Sequence, residues 1–84
     1  MAYQVVFTKE AVRVLGKIPE PYYSAIKSAI IGLANNPRPV GYKKLKGTDA
    51  YRIRINNYRV IYDIFDNILT VEIVTIGHRK DIYR

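Results

Sequence analysis

Residues 51–65 constrain the fold most. Tyr51-Arg52-Ile53-Arg54-Ile55 alternates apolar and cationic side chains, and Tyr58 to Phe65 resumes in strand-forming residues after Asn56-Asn57. A period of two marks a half-buried strand. Asn-Asn between two such runs predicts a two-residue hairpin loop, because asparagine tolerates the positive φ that such loops need. The loop length fixes the register: Ile55 opposite Tyr58, Arg54 opposite Arg59, and Arg52 opposite Ile61. One face of the hairpin then carries three guanidinium groups. The other carries Tyr51, Ile53, Ile55, Val60, Tyr62 and Ile64, which predicts a core face.

The remaining elements follow from local signals. Tyr3-Gln4-Val5-Val6-Phe7 is a short run of strand formers. Thr8 is placed to cap a helix starting at Lys9, with Val12, Leu15 and Ile18 at helical spacing and Gly16 weakening its end. Pro19 breaks that helix, and Glu20-Pro21 opens a second, since proline is tolerated in a first turn. Tyr22, Ile26, Ile30 and Leu33 recur every three or four residues until Asn35-Asn36-Pro37. After a loop to Gly41, Asp66-Asn67 predicts a second tight turn. Ile68 to Ile76 then forms the last strand, ending at Gly77, with Val71 and Ile73 on the core face. The expected architecture is one α+β domain over residues 1–84. It is a small antiparallel sheet of about four strands with two N-terminal helices packed on one face.

Composition narrows the partners. The formal net charge is +7, which suits a polyanion. Six of the cations, Lys43, Lys44, Lys46, Arg52, Arg54 and Arg59, fall in one stretch with a single acid, Asp49. Like charges directly opposite across a strand pair are destabilising, so Arg54 facing Arg59 implies use. A guanidinium fork fits phosphate oxygens, which predicts an anion-binding face and nucleic-acid backbone as its commonest ligand. The tail from Gly77 adds His78, Arg79, Lys80 and Arg84, with Tyr83 beside them. Cutting RNA without a metal needs a base for the 2′-hydroxyl, cations for the phosphorane charge and an acid for the 5′-oxygen. His78 can titrate near neutrality, and Tyr83 can stack on a base or pass a proton.

Several chemistries are excluded. The chain has no cysteine and one histidine, so thiolate zinc sites and disulfides are ruled out, and no cofactor or metal is expected. The seven carboxylates are scattered. Gly41 and Gly47 are isolated turn residues rather than a phosphate loop. Tyr51, Tyr58 and Tyr62 fall on the core face. Met1 to Phe7 shows no signal-peptide pattern, and no apolar run approaches the roughly 18 residues of a membrane span. A cytoplasmic protein without membrane contact is expected.

The order strand, helix, helix, loop, three strands resembles the RelE/ParE toxin superfamily. So do the phrases Lys44-Leu45-Lys46-Gly47, Tyr51-Arg52-Ile53-Arg54-Ile55, Tyr58-Arg59-Val60-Ile61-Tyr62 and Gly77-His78-Arg79-Lys80-Asp81-Ile82-Tyr83. Together they are similar to the RelE branch, whose members are type II toxins that cut mRNA in the ribosomal A site. The resemblance implies a ribosome-dependent, metal-independent endoribonuclease that inhibits translation, silenced by a cognate antitoxin. The free toxin is expected to be monomeric and the complex hetero-oligomeric. By position, Arg52 and Arg54 match two basic strand residues of the family site, and Lys46 a basic loop residue. Arg59 matches a phosphate-contacting arginine, Arg79 the arginine after the last strand, and Tyr83 the C-terminal tyrosine. Lys43 and Lys44 extend the expected RNA-binding set.

Some members carry lysine where Arg52 stands. A lysine among cations can give up its proton and serve as base, whereas an arginine cannot. The base would then be His78, Tyr83 or Lys46, with His78 the first choice. Competing readings are a ParE-like poison of DNA gyrase, which does not need the basic strand face, and a non-catalytic RNA-binding or ribosome-binding module. Binding to a membrane surface fits poorly, because the cations lie on strands rather than an amphipathic helix.

Overall fold

In the computed structural model of the chain, residues 2–78 are described. Gln4–Phe7 forms β1, Lys9–Leu15 α1, Tyr22–Leu33 α2, Lys43–Lys44 β2, Tyr51–Ile55 β3, Tyr58–Phe65 β4 and Thr70–His78 β5. The strands form one sheet in the order β1-β5-β4-β3-β2. The α+β class and the meander hold. The fifth strand is the two-residue β2, too short to show a period. β1 joins the sheet by parallel pairing with β5, Gln4 to Thr70 through Phe7 to Ile73.

The hairpin register is the one the alternation predicts. Ile55 pairs with Tyr58, Arg54 with Arg59, Ile53 with Val60 and Arg52 with Ile61. Asn56 takes φ 56°, which spares the turn the strain a β-branched residue would bring. The next connection is longer than a tight turn. Asp66–Ile68 makes a single 3-10 turn and Leu69 sits at φ 48°, so β5 starts at Thr70 and runs through His78 instead of stopping at Gly77.

One irregularity decides which way the end of β5 faces. Ile61 pairs with Thr75 and Tyr62 with Ile73, leaving Val74 as an extra residue. Such a bulge switches the side on which later residues project. Val71 and Ile73 therefore share the core with Ile76 rather than with Thr75, and all three are buried.

Both helices pack on the core face. The Thr8 hydroxyl accepts from the Ala11 amide at 3.1 Å and donates to the Val74 carbonyl at 2.6 Å. It thus caps α1 and ties it to the bulge. Ala11, not Val12, is the buried contact of this short helix, and Val12 remains 59% exposed. Pro21 precedes α2 without capping it. Instead Glu20 accepts from the Ser24 amide at 3.2 Å and from its hydroxyl at 2.8 Å. Ile26, Ile30 and Leu33 face inward as their spacing predicts. None of the described helices is long and apolar enough to cross a membrane.

Two polar contacts fasten the α2–β2 loop to the sheet. The Arg38 guanidinium makes a forked bond to Asp66, with its closer nitrogen at 2.9 Å, and holds that carboxyl below its ordinary range with help from the Tyr3 hydroxyl. Inside the core, the Tyr62 hydroxyl donates to the Pro37 carbonyl at 2.8 Å. Removing one partner of such a buried bond strands the other, so Tyr62→Phe is expected to cost about 1–3 kcal/mol in urea unfolding. Burial pushes the Tyr62 hydroxyl from 10.0 up to about 12. Its contribution is therefore full below pH 10 and is lost as the pH rises to about 12. The alkaline fall in stability should be shallower in Tyr62→Phe.

Candidate nucleic-acid interface

The helices cover one face of the sheet and leave the other to a patch of cations. Arg54 and Arg59 lie directly opposite each other, with their β-carbons about 5 Å apart. Arg52 is two residues along β3 on the same face. β2 adds Lys43, which pairs with Arg52. Gly77 pairs with Arg59 and brings no side chain to this face. Four cations from three strands thus converge at the hairpin end of the sheet.

These side chains do not simply splay into water. Arg59 is 2% and Arg52 8% exposed, whereas Arg54 and Lys43 are exposed. A buried guanidinium is costly unless charge and hydrogen-bond partners compensate it. Among the described residues, no carboxylate forms an ion pair with Arg52, Arg54 or Lys43; the ion pair present is Arg38 with Asp66. The acids on this face stand further along. Asp63 pairs with Glu72, beyond Ile61, so Arg59, Ile61 and Asp63 step from positive through apolar to negative along β4. An anion is attracted to the hairpin end and repelled from the other.

The remaining candidates are dispersed. Lys44 pairs with Tyr51, on the opposite side from Lys43, and its ammonium donates to the Thr48 carbonyl at 2.7 Å. Lys46 is exposed in the β2–β3 loop, past the Tyr51 end of β3 and away from the Arg54–Arg59 pair. His78 pairs with Tyr58 and faces the helices, its ring edge-on to Tyr58 at 5.5 Å. The structure therefore does not bring His78 onto the face that holds Arg52, Arg54 and Arg59. Strict alternation after Ile73 would have put it there, and the bulge at Val74 is why it is not. The apolar spacing Val71, Ile73, Ile76, two and then three, was the signal. Arg79 and Tyr83 lie outside the described residues. Among the described residues, no group of three or more histidine, aspartate or glutamate side chains could hold a metal ion.

Comparison with known proteins agrees with this architecture. The sequence pattern of the family described as ParE toxin of type II toxin-antitoxin system, parDE, matches residues 5–83. Toxin RelG of Mycobacterium tuberculosis is 39% identical, over 100% of this chain and 99% of that protein. The mRNA interferase RelE of Shigella flexneri is 26% identical, over 95% of this chain and 86% of its own length. Among solved structures, the RelBE2 toxin-antitoxin complex of M. tuberculosis superposes with a TM-score of 0.84 at 30% identity, over 94% of this chain and 100% of the other. The archaeal RelE-RelB complex of Pyrococcus horikoshii OT3 does so with the same TM-score and identity, over 94% and 97%. The sheet with its two helices and the match across nearly the whole length place this chain in the ParE toxin family of type II toxin-antitoxin systems.

Proposed function

We propose that this toxin is an endoribonuclease that cuts mRNA in the ribosomal A site without a metal, and that Arg52, Arg54 and Arg59 hold the backbone at the cleaved phosphate. The observation that carries this reading is the arginine face. Arg52 is buried there beside Arg54 and Lys43 with no acid from the described residues to neutralise them. That arrangement is costly in isolation and is relieved by a phosphate. Guanidinium forks also suit the equatorial oxygens of a phosphorane, where charge grows during attack.

Proton transfer needs a different group, because an arginine does not lose its proton. His78 faces the helices and Lys46 lies beyond the other end of β3. The role therefore passes to Tyr83, with Arg79 as a further cation. β5 reaches Gly77 opposite Arg59 and ends at His78 opposite Tyr58, at the end of the sheet that carries the Arg54–Arg59 pair. Weak intrinsic chemistry suits a toxin that works on the ribosome. Holding the 2′-oxygen in line with the scissile bond supplies much of the rate, and free RNA should be a poor substrate. The place of action is then cytoplasmic.

The partner is a cognate antitoxin, as in the relatives solved as RelE-RelB complexes. An acidic segment lying over the arginine face would satisfy the same charges that RNA does. The free toxin is a monomer and the silenced form a hetero-oligomer.

Primer extension on mRNA in a reconstituted translation system tests the activity. New mRNA 5′ ends at the A-site codon are expected with wild-type toxin, absent with Arg59→Ala and retained with His78→Ala. Loss of gyrase supercoiling with intact mRNA would favour the gyrase-poison reading instead. The arginine face also predicts a trade between stability and function. Arg54→Thr removes a repulsive cross-strand pair and should raise stability by about 0.2–1 kcal/mol in urea unfolding, while weakening cleavage.

A further inference from the structure

Cleavage by a 2′-hydroxyl moves two protons, one off the attacking 2′-oxygen and one onto the departing 5′-oxygen. When attack is in line, these oxygens lie on opposite sides of phosphorus. One side chain cannot serve both. With Tyr83 on the first transfer, the second still needs a donor. The arginines cannot supply it, because a guanidinium keeps its protons. Among the described residues, the other charged groups on this face are Lys43, beside Arg52, and the carboxylates of Asp63 and Glu72 beyond Ile61. An ionised carboxylate brings no proton, whereas an ammonium brings three.

The two-residue strand β2 fixes where Lys43 stands. It pairs with Arg52, which puts Arg54 on its diagonal. Directly opposite residues have β-carbons about 5 Å apart, and diagonal ones about 7–8 Å. The four-carbon stem of Lys43 therefore reaches the ground between the two guanidiniums. Lys43 is exposed, and its ammonium makes no hydrogen bond or ion pair with the described residues. Its neighbour Lys44 is committed to the Thr48 carbonyl at 2.7 Å, on the other side of the sheet.

The strand order also separates the two transfers. Across β5-β4-β3-β2, Lys43 stands on one flank of the arginines and Gly77, opposite Arg59, on the other. The chain continues from β5 toward Tyr83. An axis of attack lying across the strands would set the 2′-oxygen on the β5 flank and the 5′-oxygen on the β2 flank, with the arginines on the equatorial oxygens between them.

We propose that Lys43 is the general acid of the cleavage, an assignment that rests on the nuclease reading above. The 2′-oxygen bonds to phosphorus and its proton passes to the base. The bond from phosphorus to the 5′-oxygen breaks, and that oxygen takes a proton from the Lys43 ammonium. The products are a 2′,3′-cyclic phosphate and a 5′-hydroxyl, and the Lys43 amine recovers its proton from water. Nothing is oxidised or reduced.

A ribosome-bound mRNA with sulfur in place of the bridging 5′-oxygen at the cleaved position tests this role. A thiolate leaves without taking up a proton, because a thiol is a far stronger acid than an alcohol. Single-turnover rates are measured with saturating toxin on the oxygen and sulfur mRNAs. On the oxygen mRNA, Lys43→Met and Lys43→Arg should each be slower than wild type by about 100-fold or more. On the sulfur mRNA both should cut at close to the wild-type rate. Arg59→Ala should stay slow on both, since it lacks charge stabilisation rather than a proton. Lys43→Arg keeps the cation, so the salt dependence of its RNA binding should match wild type. Wild-type cleavage of the oxygen mRNA by Lys43→Arg would show that Lys43 acts only as a charge. An equal defect on oxygen and sulfur would show that it only positions the strand. Either result overturns the proposal and leaves the nuclease reading intact. Failure of the wild type to cut the oxygen mRNA would overturn both.

Discussion

The register of the β3–β4 hairpin, Ile53 against Val60 and Arg54 against Arg59, organises this molecule. The same register that sets Ile53 against Val60 and Tyr51 against Tyr62 in the core forces the two guanidiniums together on the far side. A one-residue slip would exchange the faces completely. The core and the cationic face are therefore two readings of one alignment, and neither can change without the other. The cost of opposing like charges is of order 0.2–1 kcal/mol. That is small beside the burial of Val60, Tyr62 and Ile53, so the core sets the register and the arginines tolerate it.

The rest of the fold serves that hairpin. β5 covers the other side of β4, and the bulge at Val74 turns its last residues so that Ile76 joins the core while Gly77 opposes Arg59. α1 is tied to this irregular point through Thr8, whose hydroxyl bonds the Val74 carbonyl. β2 is only two residues long, yet it sets Lys43 against Arg52 and so widens the cationic patch. At the far end Asp63 and Glu72 reverse the sign. The face is polarised along its strands, positive at the hairpin end and negative beyond Ile61.

Much of this was legible in the sequence. The alternation of residues 51–55 and the Asn-Asn loop specify the hairpin, Thr8 the start of α1, and the spacing Ile26, Ile30, Leu33 the buried stripe of α2. The parallel seating of β1 was not legible, because four apolar-rich residues carry no information about their partner. The bulge at Val74 is hard to read from sequence because one extra residue breaks no propensity, although the shift from Ile73 to Ile76 marks it. The bulge has a functional consequence: it sets the His78 ring against Tyr58, on the side away from the arginines. Arg38 and Asp66 could not be paired from sequence, since 28 residues separate them and neither belongs to a periodic element. Nor does alternation alone tell that Arg59 is almost wholly buried while Arg54 is exposed.

The most direct test of the arginine face is the salt dependence of single-stranded RNA binding. It should be measured for wild type and for Arg52→Ala, Arg54→Ala and Lys44→Ala. If the face grips the backbone, each arginine variant should bind more weakly at low salt, and its log–log slope should fall by about 0.7, one phosphate contact on a single strand. Lys44, on the opposite side of the sheet, should leave the slope unchanged. Equal slopes for the arginine variants and the wild type would show that RNA is held elsewhere, and the account of this face would fail.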